Sequence, residues 1–219
     1  MTDATPRNAL LAQGIQFQVL ARAFPVLRHD AVKPISNAKL ATAMMQRGDD
    51  GADPSAERSQ QLLADVDAML DEGVIAVREL ADWLTPTSHS VSIAVLLHEC
   101  AKLLFTELLL SGKKIVVEDG ESCPRVSMYS GRYVVLCWIL HMVEAAPDGS
   151  ELRIACVSDT EVRARVTPDA GATVIRPTDV GPIAFGLPTC GILTEYYGWN
   201  VRGEGHDWTL TLPSVGNNG

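Results

Sequence analysis

A heptad repeat over residues 63–84 is the strongest constraint that the sequence places on the fold. Six apolar residues and one glycine recur there at alternating three- and four-residue steps: Leu63, Val66, Leu70, Gly73, Val77, Leu80 and Leu84. This spacing predicts a long helix with a narrow apolar seam, which has to pack against other helices. Asp53 is the predicted N-cap of this helix and Pro54 its first residue.

A second long helical pattern precedes the first, from about Arg7 to Gln46, with Pro25 and Pro34 inside it. Its apolar stripe consists of Leu27, Ala31, Ala38, Ala41 and Met45. Residues 48–52 have the composition of a turn that joins the two helices. Because an isolated pair of helices with narrow seams leaves apolar surface open, we expect the hairpin to dimerise into a four-helix bundle.

His29 lies within the first helical pattern, beside Asp30 and about one turn before Pro34. At about 100° per residue it lies roughly 200° from Leu27, so it is predicted to point away from the seam. Pro34 is expected to bend the helix just beyond it. Imidazole is a nucleophile near neutral pH and can carry a labile phosphoryl group.

The second half of the sequence predicts an α/β layer. A polar, proline-containing linker at residues 85–91 separates residues 1–84, the hairpin domain, from residues 92–219, the α/β domain. The predicted elements are a helix at 92–110, a strand at 114–118, a helix at 131–146, strands at 151–157 and 161–167, a short helix at 187–197, and a hairpin at 199–203 and 208–212. This order of elements predicts an α+β fold.

The composition argues against several classes of function. The net charge of −9 at pH 7 disfavours non-specific binding to nucleic acid or anionic membranes, because both need basic surface. Residues 1–8 lack the apolar core of a signal peptide, and the apolar stretch at 133–143 is too short to cross a bilayer. The five cysteines show no C-x-x-C spacing, so we expect free thiols in the cytoplasm and no metal site.

These residues resemble the transmitter core of two-component sensor histidine kinases. His29-Asp30-x-x-Lys33-Pro34 resembles the phosphoacceptor box of the dimerisation hairpin in that family. Segments 184–187, 195–198 and 209–213 resemble the glycine box, helix and final strand of its ATP-binding lobe. The resemblance covers roughly residues 24–213 and implies that the second half is a Bergerat-like α/β sandwich.

The sequence departs from that family where a nucleotide would bind. By resemblance, Cys137 and His141 replace two asparagines that contact Mg²⁺ and phosphates, although Mg²⁺ prefers oxygen ligands. The adenine box is at best a remnant at residues 169–173, and Ala184 replaces the first glycine of the phosphate loop. There is no G-x-x-x-x-G-K-[ST] or G-x-G-x-x-G motif elsewhere. We therefore expect that ATP binding is lost.

An acceptor histidine without a nucleotide site resembles the histidine phosphotransferases built on a degenerate kinase core. The resemblance implies that His29 carries the phosphoryl group, that Asp30 orients its ring, and that Lys33 and Arg28 steady the phosphoryl. Lys33 also stands where the family has the Asn or Thr that positions a hydrolytic water, which predicts weak phosphatase activity. The implied partners are the receiver domain of a response regulator, a hybrid kinase or both, with the receiver domain supplying Mg²⁺ and this chain holding no cofactor of its own.

Other interpretations of the same residues stay open. His29 and Asp30 are also compatible with a solvated helix surface, as are Lys33 and Arg28. A second hypothesis is a pseudokinase adaptor or scaffold that binds a receiver domain or kinase without chemistry. A third is a working kinase with a divergent nucleotide site.

Overall fold

The structure is a computed structural model that describes residues 6–48, 56–118, 120, 123–168 and 185–213. The predicted helix start at Asp53 and Pro54, the adenine-box remnant at 169–173, and Ala184 lie outside the described residues. The described chain forms two compact units, of which one lies within residues 22–86 and the other joins residues of 1–21 to those of 87–219. From the sequence, the hairpin domain is predicted to end at residue 84 and the α/β domain to begin at residue 92. That prediction assigns residues 1–21 to the hairpin domain.

Two long helices make up most of the unit within residues 22–86. Helix α1 covers Pro6–Gly48 and helix α2 covers Ala56–Asp82. Both Pro25 and Pro34 lie inside α1, so neither divides it. The two helices meet at Gly73, where an added Cβ would lie 3.0 Å from the Ile35 Cγ1 atom and 3.8 Å from the Pro34 Cγ atom. A glycine in the α2 seam therefore permits the close approach of α1.

The predicted seam of α2 is largely open in the single chain. Gly73 is buried and Val66 and Leu80 are half-buried, but four seam residues are exposed: Leu63, Leu70, Val77 and Leu84. On α1, Ala31 and Ala38 of the predicted stripe are buried, and Leu27, Ala41 and Met45 are half-buried. One hairpin supplies only one partner helix, and this leaves the outer part of each apolar face in water.

The lobe, within residues 87–219, has five strands or helices before the central helix α5 in the chain and five after it. Its elements are β1 Ser90–Ser92, α3 Ile93–Leu103, α4 Phe105–Leu110, β2 Lys114–Glu118, β3 Arg125–Ser127, α5 Met128–Ala145, β4 Glu151–Ser158, β5 Glu161–Thr167, α6 Leu187–Tyr196, β6 Asn200–Glu204 and β7 Asp207–Thr211. The five-stranded sheet has the order β2-β4-β5-β7-β6, in which β2 is parallel to β4 and the other pairs are antiparallel. Strands β1 and β3 form a separate antiparallel pair. The predicted α+β class, a helical hairpin followed by a sheet lobe, is confirmed.

The sequence-based elements of the lobe differ from the structure in two places. The helix predicted at 92–110 is broken at Leu104, whose φ of −96° and ψ of 3° interrupt the α-helical backbone between α3 and α4. Strands β1 and β3 were not predicted, because three residues are too few to show an alternating pattern. Strands β2 and β5 lie at the predicted residues.

Helix α5 lies at the centre of the lobe core. Every residue from Gly131 to Val143 is buried. In β5, Val162, Ala164 and Val166 are buried while the alternate residues face solvent, so one face of the sheet is covered and the other is open. This packing fixes the positions of the α5 side chains that the resemblance places at the nucleotide site.

Candidate functional site

His29 lies on the surface of α1 beside an acidic neighbour. Its side chain is 69% exposed, and its Nδ1 atom lies 3.3 Å from the Asp30 Oδ1 atom. A carboxylate at this distance favours the tautomer that carries its proton on Nδ1, which leaves the lone pair on Nε2. The imidazole is therefore open to a partner and has a free nucleophilic nitrogen.

The basic residues of the motif flank His29 on the helix surface. Lys33 and Arg28 are both exposed. Lys33 follows His29 by one turn, so the two side chains share one side of α1, whereas Arg28 lies about 100° around the helix. The structure thus brings His29, Asp30 and Lys33 together on one open surface, with Arg28 at its border.

Two apolar residues that the sequence analysis did not assign continue this surface. Leu40 and Met44 lie 11 and 15 residues after His29 and are exposed. At about 100° per residue they lie within roughly 60° of His29 on the helix wheel. Helical phase alone would have found them. His29 thus lies at one end of a strip that ends in exposed apolar side chains.

Cys137 and His141 lie inside the lobe core, one turn apart on α5. Cys137 Sγ lies 3.3 Å from Cys190 Sγ of α6, and the hydrogen bond with Cys190 together with burial raises the pKa of the Cys137 thiol. His141 donates from Nδ1 to the Phe185 carbonyl oxygen at 2.6 Å. Its ring also makes an edge-on contact with Trp208, with centroids 4.7 Å apart. Both side chains are engaged by the protein itself.

Phe185 is held to α5 through both of its backbone polar groups. Its N–H donates to the Glu144 Oε2 atom at 2.6 Å, while its carbonyl accepts the bond from His141. Its side chain is buried. By resemblance this residue lies in the phosphate loop, so the loop's start is bonded to α5 of the same chain. The sequence analysis missed Glu144, although it follows His141 by three residues and so shares its side of the helix.

The residues present at these positions do not fit a Mg²⁺–nucleotide complex. Mg²⁺ needs oxygen ligands in near-octahedral geometry, whereas the donors here are a buried thiol and an imidazole that is already hydrogen-bonded. Within the described ranges, no three His, Cys, Asp or Glu side chains are grouped so that they could hold a metal ion.

One helix has the length and apolar character of a membrane span. An apolar window within Pro6–Gln46 has a mean hydropathy of 1.2. This criterion takes account of length and composition only. Core helices of soluble proteins also meet this criterion. The absence of a membrane span and the cytoplasmic location therefore stay predictions.

Comparison with known proteins finds likeness at the level of structure only. No family model matches the sequence, and no curated protein is significantly similar to it. The histidine kinase AdeS of Acinetobacter baumannii is 13% identical with a TM-score of 0.44, over 85% of this chain and 98% of that one. Histidine kinase ThkA, in complex with the response regulator protein TrrA, is 15% identical with a TM-score of 0.42, over 99% of this chain and 69% of that one.

The cytoplasmic segment of histidine kinase QseC is 14% identical with a TM-score of 0.40, over 57% of this chain and 76% of that one. Each of these three solved structures is thus a histidine kinase or a segment of one. TM-scores below 0.5 mark a loose likeness, which carries no argument about what this chain does.

Proposed function

We propose that this chain is a histidine-containing phosphotransferase, which relays a phosphoryl group between the receiver-domain aspartates of response regulators through His29 and does not bind ATP. The observation that carries the proposal is the exposed His29 imidazole with the Asp30 carboxylate 3.3 Å from its Nδ1 atom. Cys137 and His141 make contacts inside the lobe, and this supports the proposal that the chain does not bind ATP. The phosphoryl group would then come from a donor outside this chain.

The transfer is an in-line exchange at phosphorus. The His29 Nε2 lone pair forms the N–P bond while the P–O bond to the partner's aspartyl carboxylate breaks, and that carboxylate leaves with the electron pair. The imidazolium product keeps its Nδ1 proton, and the Asp30 carboxylate stabilises its positive charge. Mg²⁺ held by the receiver domain neutralises charge on the phosphoryl oxygens. The reverse exchange passes the group to a second receiver domain or to a hybrid kinase.

The remaining residues of the surface position the phosphoryl and the partner. Lys33 and Arg28 place positive charge beside the phosphohistidine, where it offsets the charge of the phosphoryl oxygens. Leu40 and Met44 offer apolar contact area further along the same side of α1. A partner that covers this strip would bring its aspartate to His29.

The proposed active form is a homodimer. Three exposed seam residues of α2 (Leu63, Leu70 and Val77), with Leu84 just after its end, form an apolar strip that a second hairpin would cover in a four-helix bundle. His29 lies outside the seam and would stay accessible in such a bundle.

Phosphotransfer from a purified, ³²P-labelled receiver domain tests this proposal. The wild-type chain should take up label, His29→Ala should take up none, and the matched control His206→Ala should behave as wild type, because His206 is an exposed histidine in the β6–β7 turn. Incubation with Mg²⁺ and labelled ATP should give no labelled protein. Label on His29→Ala, or no label on the wild type from any of a panel of receiver domains, would contradict the proposal.

The scaffold alternative is favoured by one observation. Within the described residues, the centre of α5 is buried and Phe185 is hydrogen-bonded to His141 and Glu144 of the same chain, as in a domain that serves only for binding. In that case His29→Ala should bind the same receiver domain with unchanged affinity and keep any regulatory effect. Calorimetry of this variant with the receiver domain separates the two functions.

A further inference from the structure

Four of the five cysteines form two neighbouring pairs in the lobe, and the pairs differ in exposure. Cys137 and Cys190 are buried, whereas Cys123 and Cys156 are half-buried and so reach the surface. All four are free thiols. The proposed phosphotransfer assigns no role to the surface pair.

The loop that follows β2 closes over β4 at Cys156. Strand β2 ends at Glu118, which pairs with Ala155, so Cys156 is the first residue of β4 beyond its pairing with β2. Gly120 lies at this point, because a Cβ added to it would be 3.1 Å from the Cys156 carbonyl oxygen and 3.5 Å from the Cys156 Cβ atom. A glycine therefore lets the loop approach the cysteine closely.

Cys123 reaches the same place from the far end of that loop. Its thiol donates to the Gly120 carbonyl oxygen, with 3.9 Å between sulfur and oxygen, and is hydrogen-bonded to the Cys156 thiol. Cys156 is held in β4 by its pairing with Val162 of β5, whereas Cys123 lies in the loop before β3. A disulfide needs its two sulfurs about 2.0 Å apart, and a side-chain rotation at the loop residue can close the remaining distance.

We infer that Cys123 and Cys156 form a reversible disulfide when the folded chain meets a low-molecular-weight disulfide oxidant such as oxidised glutathione. The bond joins the loop after β2 to β4 and closes a ring of chain that contains all of β3 and α5. The lobe thus carries a redox-sensitive modification site. This inference goes beyond the proposed function and does not depend on it.

The reaction is a two-step thiol–disulfide exchange. The Cys123 thiolate attacks one sulfur of oxidised glutathione, so the S–S bond of the oxidant breaks and one glutathione leaves as a thiolate with the electron pair. The Cys156 thiolate then attacks the Cys123 sulfur of the mixed disulfide, and the second glutathione leaves in the same way. Each cysteine loses one proton, and these two protons with two electrons convert the oxidant to two glutathione thiols.

The surroundings of Cys156 explain why Cys123 reacts first. Burial, together with the hydrogen bond and the charge of Cys123, raises the pKa of the Cys156 thiol to about 12. Near neutral pH Cys156 is therefore a thiol and not the reactive thiolate. Once Cys123 carries glutathione it has neither a thiol proton nor a charge, so only burial still raises this pKa. The first step thus prepares Cys156 for the second.

The buried pair serves as a comparison within the same lobe. The Cys137 and Cys190 sulfurs lie 3.3 Å apart, and the Cys190 thiol donates to the Cys137 carbonyl oxygen. Both residues are at most 1% exposed, so an oxidant in solution does not reach them in the folded protein. Both pairs have neighbouring sulfurs, but only the surface pair also has access to solvent.

Zinc is the other species that two thiols can bind. A structural zinc site needs four ligands. Within the described ranges, no third His, Cys, Asp or Glu is grouped with this pair so that the three could hold a metal ion. A disulfide needs only the two sulfurs, and this favours the redox reaction.

Oxidation of the folded, full-length chain by oxidised glutathione tests the inference. After the remaining thiols are blocked with N-ethylmaleimide, trypsin releases Cys123 and Cys156 on separate peptides, residues 115–125 and 154–163, which a disulfide would hold together. The wild type should give the joined peptide, and treatment with dithiothreitol should separate it. The oxidised protein should also unfold at a midpoint roughly 5 °C or more above the reduced protein, because the bond restricts the unfolded chain.

Single variants separate the two steps. Cys156→Ser should stop at one glutathione bound to Cys123, and Cys123→Ser should give no joined peptide. The matched control Cys190→Ala removes the buried pair and should form the joined peptide as the wild type does. In the folded wild type, Cys137 and Cys190 should stay free thiols. Far-UV circular dichroism verifies that each variant is folded.

Three outcomes would overturn the inference. The first is no joined peptide from the folded wild type, and the second is a joined peptide that forms only after unfolding in urea. The third is an unfolding midpoint that falls on oxidation, which would show that the folded loop does not accommodate the bond. Phosphotransfer to His29 is measured separately, in dithiothreitol, so the failure of either proposal is distinguishable from the failure of the other.

Discussion

At the scale of single residues, the proposed phosphoryl transfer depends on what lies within one turn of His29. The Asp30 carboxylate lies 3.3 Å from the His29 Nδ1 atom, and Lys33 follows one turn on, on the same side of α1. In the proposed transfer, a cation at that position would hold the phosphoryl group but would not orient a water for hydrolysis. The proposal therefore predicts that transfer is favoured over loss of the phosphoryl.

The substitution Lys33→Asn tests this division of roles. We expect the amide to position a water and to speed dephosphorylation of a bound receiver domain about tenfold, which corresponds to about 1.4 kcal/mol of activation free energy. Phosphoryl transfer to His29 should slow, because a charge beside the phosphoryl is lost. Release of inorganic phosphate and label on the protein are measured in parallel. An equal rate of phosphate release from both proteins would show that position 33 does not control hydrolysis.

Helical phase made the exposure of His29 predictable, because only local geometry is needed. The same reasoning could not place Cys190 beside Cys137 or Tyr197 beside Gln16. These pairs are 53 and 181 residues apart in the chain, and their contacts follow from the packing of whole elements. Sequence reasoning therefore found the candidate acceptor but not the contacts that occupy the nucleotide-site positions.

At the scale of elements, a glycine in the β6–β7 hairpin allows that hairpin to pack against α5. Gly203 of β6 lies opposite Trp208 of β7, and an added Cβ would lie 2.0 Å from the Cε3 and Cζ3 atoms of that indole. Trp208 in turn packs edge-on against His141. The absence of a side chain at residue 203 thus allows the indole to cover the imidazole that holds Phe185.

Gly203→Ala should displace the Trp208 ring and lower the free energy of unfolding by about 1–3 kcal/mol. The matched control is Gly191→Ala inside α6, where an added Cβ meets nothing within 4 Å. That change should stabilise the protein by up to about 1 kcal/mol, because alanine is the better helix former. Urea unfolding followed by tryptophan fluorescence measures both. Equal stability of Gly203→Ala and wild type would show that the indole moves without cost.

Elements with a clear local pattern were predictable, and the three-residue strands β1 and β3 were not. The seam of α2 follows from the three- and four-residue steps between its apolar residues. Strands β2 and β5 follow from local patterns of five and seven residues. Strands β1 and β3 exist because Ser90 to Ser92 pair with Arg125 to Ser127, a pairing across more than thirty residues that neither segment reveals alone. The break at Leu104 likewise interrupts a continuous apolar pattern.

At the scale of the whole molecule, the lobe and the hairpin differ in how much of their apolar surface is buried within the chain. The lobe buries its central helix and bonds its own loop, whereas the hairpin and the first turns of α1 leave apolar strips in water. The exposed apolar strips thus lie on the helices of the His29 segment, which is where the proposed docking and dimerisation would cover them.

Two tyrosines, Tyr133 and Tyr197, give the folded molecule a sensitivity to alkaline pH. Burial and the neighbouring Tyr129 raise the pKa of Tyr133 to about 12, and the same causes raise the pKa of Tyr197. In the unfolded chain a tyrosine titrates near pH 10. Between about pH 10 and 12 the unfolded state therefore binds fewer protons than the folded state, and the free energy of unfolding falls as pH rises.

Tyr133→Phe should remove part of this pH dependence. At pH 7 the variant should be no more stable than wild type, because a hydroxyl that has interactions in the fold is lost. Above pH 10 the gap should narrow as pH rises, because phenylalanine has no proton to release. Urea unfolding at pH 7, 10, 11 and 12 measures the difference at each pH. A gap that stays constant through this range would show that Tyr133 titrates at the same pH in both states.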